Sequence, residues 1–165
     1  MEIKMTEATE DLDKVCNILD KLTLDALLLT QEEIHLKLNI ENAMCEGETN
    51  LAKARYIIGH NNVSSIQLPT EDSPKFSAVV KIVAHDESWG RSYDLKQIKK
   101  SDDESVQEPL RWFGFLVPQS LNRAQNMFRQ AIQWSIQAVN IQTRLEDTVN
   151  TIHSLKNFKL KIQNK

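Results

Sequence analysis

At 165 residues, with 26% charged and 41% hydrophobic side chains, the chain suits one lean soluble domain, or one domain with a long insertion. Its net charge of −3 supplies no overall basic field, which argues against nucleic acid as a partner. It has only 4 Gly and 4 Pro, most of them in the middle, so two long segments are free to be helical.

The first helical run is expected from about Glu7 to Ile58. Steps of three and four pick out Val15, Leu19, Leu22, Ala26, Leu29, Glu33, Leu36, Ile40, Ala43, Gly47, Asn50, Ala54 and Ile57. Only Glu33, Gly47 and Asn50 interrupt an apolar 3.5-residue repeat. Leu24, Leu27 and Leu28 widen the stripe beyond one partner helix. Glu33 reads as a side chain that snorkels to water, or as a polar contact that sets register. Gly in a helix interior costs about 1 kcal/mol against Ala, so a kink or short break is expected near Gly47. Gly59 suits the left-handed position that ends a helix. The two cysteines, Cys16 and Cys45, both lie in this run, about 29 residues or ~44 Å apart along a straight helix, so they do not pair. Reduced thiols and a cytosolic location follow. The N-terminus shows no apolar signal core, and no run approaches the ~20 apolar residues that span a bilayer.

The middle is of a different kind. Val63–Leu68 alternates weakly and Phe76–Val83 is β-rich, so the two are expected to pair as a small hairpin across the Pro69–Pro74 loop. From Lys96 to Glu108 the chain is charged and reads as a flexible linker.

Glu108–Pro118 is the most apolar stretch of the chain and opens the second run. Pro118 fits a helix start, and Gly114 frees the backbone between Trp112-Phe113 and Phe115-Leu116-Val117. This aromatic corner either plugs the open end of a small core or stays partly exposed to dock a partner, and both can hold at once. The second helix is expected from Pro118 to about Gln163. Its seam reads Leu121, Ala124, Phe128, Ala131, Ser135 and Ala138, then Leu145, Ile152, Leu155 and Ile162.

The fold class expected is therefore mainly α. Two long helices form an antiparallel coiled-coil hairpin, with a variable middle insertion that holds a small β-hairpin and a flexible linker. The boundaries are 1–60 for the first coiled-coil helix, 61–108 for the partly disordered insertion, and 109–165 for the aromatic corner and second coiled-coil helix. Trp112-Phe113 is expected close to Tyr56-Ile57-Ile58. No histidine, cysteine or carboxylate cluster has metal spacing, no glycine-rich phosphate loop occurs, and no nucleophile elbow is present. Catalytic, cofactor-binding and metal residues are accordingly none, and an enzyme is not expected.

Two blocks carry a family resemblance: Leu51-Ala52-Lys53-Ala54-Arg55-Tyr56 with Gly59, and Pro109–Leu121 continuing through Ala124-Gln125 to Phe128-Arg129. Together they resemble the coiled-coil assembly factors of the vacuolar proton-pumping ATPase, of the coiled-coil domain-containing protein 115 type. The resemblance implies an assembly chaperone acting at the cytosolic face of the endoplasmic reticulum on the membrane sector of the pump. It implies a membrane-spanning assembly-factor partner that supplies the only membrane association. It extends, in animals, to the intermediate compartment, coated vesicles, endosomes and lysosomes, and to lysosomal acidification. The residues expected to meet the partner are Lys53, Arg55, Tyr56, Trp112, Phe113, Gly114, Leu116 and Pro118. Apolar residues spare from the seam, Leu24, Leu27, Leu28, Ile132, Trp134 and Ile141, are expected to bury against the membrane partner or a pump subunit. Two other readings fit the helices: a prefoldin-like chaperone subunit, which demands a hexamer-sized particle, and a plain coiled-coil scaffold.

Overall fold

The computed structural model describes residues 2–98 and 105–163, with side chains from residue 12 onward. Helix α1 spans Glu2–Ile58, strand β1 Val80–Glu87, strand β2 Gly90–Gln97 and helix α2 Gln119–Gln163. Short 3-10 turns lie at Ser65–Gln67 and Pro109–Phe113. No helix of the described residues is long and apolar enough to cross a membrane.

The ends of the helices follow from their residues. Gly59 takes φ +92° and its N–H donates to the Arg55 carbonyl at 3.0 Å, closing α1 with the left-handed residue that side chains disfavour. Pro118 stands just before α2, and its carbonyl accepts from the N–H groups of Leu121, at 2.9 Å, and Asn122. A proline there gives up no helical donor.

Of the kink or short break expected near Gly47, the break is absent: α1 runs unbroken through it. The glycine instead makes room for a neighbour. A Cβ at this position would lie 2.7 Å from the Phe128 ring, so the missing side chain is the space that the ring occupies.

The strand pairing also differs from expectation. Val63–Leu68 contains a 3-10 turn and no strand. β1 pairs instead with β2 in a two-stranded antiparallel sheet, across Ser88-Trp89. Neither strand has a buried residue, so no apolar alternation marks β2 in the sequence. Its one local signal is Gly90, at φ +135°, directly after the two-residue turn. The ladder continues past the strand ends, where the Ile98 N–H donates to the Val79 carbonyl at 2.8 Å. Ser77 then bridges to Val106, and its N–H donates to the Ser105 carbonyl at 3.0 Å. Of the linker expected over Lys96–Glu108, residues 99–104 lie outside the described residues. Lys96 and Gln97 belong to β2, and Val106 is buried.

The chain divides into two units. The first joins Met1–His35, Asp86–Ser92 and Ala138–Lys165. Here Val15, Leu19 and Leu29 of α1 and Ile141 of α2 are buried. Gly90 lies so close to α2 that a Cβ on it would meet the Thr143 methyl at 2.7 Å. The second unit joins Leu36–His85 and Tyr93–Gln137. Its core is Ala54, Val63 and Leu121, with Leu51, Ile58, Leu110, Phe113 and Val117 packed against them.

That core overturns the antiparallel coiled-coil hairpin. A coiled coil buries helix against helix along one repeating seam. In the second unit Val63, Leu110, Phe113 and Val117, none of them on α1 or α2, share the core with the helices. On α1 the buried residues keep the expected spacing, through Leu36, Ala43 and Ala54. On α2 Leu121, Ala124 and Ala131 keep the expected spacing, whereas Ile136 and Ile141 lie off the expected seam. Ser135, expected on the seam, is exposed, and its hydroxyl donates to the Ala131 carbonyl at 2.8 Å. The architecture is two long helices with a small antiparallel sheet between them in the chain.

Candidate docking surface

The second unit gathers the aromatic corner and the end of α1. In the turn Pro109–Phe113, Phe113 points into the core beside Ala54, Val63 and Leu121. Trp112 meets the Phe76 ring edge-on, with centroids 5.2 Å apart and planes at 70°. Its indole N–H donates to the Gln107 side chain at 3.3 Å. Phe113 thus packs on the core while Trp112 packs on Phe76, and a cleft of about 510 Å³, lined by Leu51, Phe76, Leu110, Trp112, Leu121 and Phe128 among others, opens beside them.

An ion pair fixes the turn to α2. The Glu108 carboxylate accepts from Gln125 Nε2 at 2.6 Å and from Arg129 Nη2 at 3.0 Å. Both charged side chains are partly exposed, so water screens the pair.

Gly114 reverses the outcome one residue later. At φ +123° and ψ 174° it adopts a backbone open in practice only to glycine. Beyond it Phe115 and Leu116 turn outward, 101% and 88% exposed. Tyr56, in the same unit at the end of α1, is 92% exposed. Exposed aromatics with apolar neighbours are the raw material of an interface.

The residues expected at the docking end thus divide. Trp112 and Phe113 are half-buried and Pro118 caps α2. Arg55 donates from Nε to the Val63 carbonyl at 3.1 Å and so holds the loop after α1. Gly114 aims the chain outward, while Leu116, Tyr56 and Lys53 remain at the surface. Of the spare apolar residues, Leu24, Leu27, Leu28 and Ile132 are exposed and Trp134 is half-buried, but Ile141 is buried and is not spare.

Sequence reasoning missed Arg123. With Lys53, Tyr56, Ile57 and Ser120 it lines a shallow groove of about 610 Å³ between the end of α1 and the start of α2. The available signal was its place beside Leu121 and Ala124, flanking the buried positions of α2. Phe115 was read as part of the corner but not among the residues expected to meet the partner, although it is fully exposed.

No protein-family model matches the chain. It is 33% identical to the human vacuolar ATPase assembly protein VMA22 over 151 residues, covering 78% of this chain and 83% of that protein. Its identity to the mouse protein of the same name is 32% over 142 residues, covering 72% and 79%. For the zebrafish protein the figures are 26% over 174 residues, with 76% and 84% covered.

Proposed function

The chain belongs to the family of the vacuolar ATPase assembly protein VMA22, and from that premise we propose that it is an assembly factor for the vacuolar proton-transporting ATPase. The observation that carries this reading is 33% identity over 83% of the length of the human relative. It acts as a holder and not a catalyst, working through surface contacts on partly built pump subunits.

The finer reading places it at the cytosolic face of the endoplasmic reticulum. There a membrane-spanning assembly factor retains it, and together they hold subunits of the membrane sector, which in turn supports endolysosomal acidification. The docking end is the surface formed by Lys53, Tyr56 and Leu116. Trp112, Phe113, Gly114, Arg55 and Pro118 position that surface. Support comes from three apolar side chains left almost wholly in water, Tyr56, Phe115 and Leu116.

The test is complementation. Cells lacking their own VMA22 relative receive this chain, and the assembled pump and lysosomal pH are measured. Restored assembly and acidification are expected. Full expression of the folded chain with no gain in assembled pump refutes the reading.

A further inference from the structure

We propose that the groove between the end of α1 and the start of α2 takes an acidic amphipathic segment of a partner protein. This deepens the assembly-factor reading and rests on it for the existence of a protein partner.

Charge is the first reason. Among the described residues, Lys53 and Arg123 are the only charged side chains that line the groove. Both are exposed, and among the described residues neither has a carboxylate partner. The whole chain carries −3, so two unpaired cations on one groove run against its average. Complementary charge at an interface rim selects partners and register.

The groove also offers apolar surface. Tyr56 and Ile57 line it at 92% and 62% exposure, beside Ala52. An apolar stripe laid along them, with carboxylates at its margins, would meet both requirements at once.

The same observations favour protein over an anionic lipid surface. Recognition of acidic headgroups uses clusters of about 4–8 Lys and Arg. Here there are two cations, set among the neutral polar walls of Thr49, Asn50 and Gln119.

The test places a photo-crosslinking benzoylphenylalanine at exposed Tyr56 of the full chain in cells, followed by mapping of the adduct by mass spectrometry. The expected adduct is one protein segment in which Asp or Glu lies within a helical turn of apolar residues. Lys53→Glu with Arg123→Glu should lower the adduct about tenfold, and reversing the mapped acids to Lys should restore it. Lys53→Ala with Arg123→Ala serves as a second variant, and unchanged thermal unfolding of both confirms that the fold is intact. An adduct to lipid, to a segment without acids, or undiminished in the Glu variant overturns the proposal, as does no adduct. Pump subunits recovered equally by wild type and the Glu variant sink this inference and leave the assembly reading standing. A mapped acidic segment from a protein unrelated to the pump does the reverse.

Discussion

Gly47 and Gly114 serve opposite purposes, and substitution separates them. At Gly47 an added methyl would gain about 1 kcal/mol of helix propensity. It must also displace the Phe128 ring, 2.7 Å from the new Cβ, and overpacking of this kind costs roughly 1–3 kcal/mol. Gly47→Ala is therefore expected to lower stability by up to about 2 kcal/mol, the difference between those costs. The loss should vanish in a Phe128→Ala background, and a double-mutant cycle read by urea denaturation checks the coupling. Gly114→Ala meets no atom within 4 Å, so its cost is backbone strain alone, about 1–3 kcal/mol, and no neighbour rescues it. Glu108 gives a weaker case. Its pair with Arg129 is 34–40% exposed at the side chains, so Glu108→Gln should cost less than about 1 kcal/mol and lose part of that difference in high salt.

At the scale of elements, periodicity and end signals made the helices legible. The α1 repeat named Leu36, Ala43 and Ala54, which are buried, and Gly59 named the helix end. Two elements stayed hidden for physical reasons. No residue of β2 is buried, so it leaves no alternating pattern, and its pairing is specified by the short turn before Gly90. The start of α2 packs on Val63, Phe113 and Val117 as well as on α1, and a heptad count sees none of these. The candidate docking surface was half legible. The corner residues stand out by composition, but that Gly114 sends Phe113 inward and Phe115 outward is a matter of backbone angles. The continuity of α1 has its own measurement. Amides of residues 44–50 should exchange with solvent as slowly as those of 36–42, whereas a broken turn at Gly47 would exchange much faster.

For the molecule as a whole, the decisive question is what Phe115, Leu116 and Tyr56 do while they stand in water. Folding gains nothing from them, since side chains 101%, 88% and 92% exposed remove almost no apolar area from solvent. Their replacement by Ser should therefore leave stability within about 0.5 kcal/mol of the parent, as for surface changes generally. An interface, by contrast, depends on a few large anchors, each worth ~2 kcal/mol or more when truncated. The triple Ser variant should thus unfold at the parental temperature and still fail to restore pump assembly in cells lacking their own relative. Measured side by side, the two readouts isolate the surface. A variant that unfolds early would assign these residues to the core, and one that restores assembly in full would move the docking surface away from the corner, toward the exposed Leu24, Leu27 and Leu28 of α1.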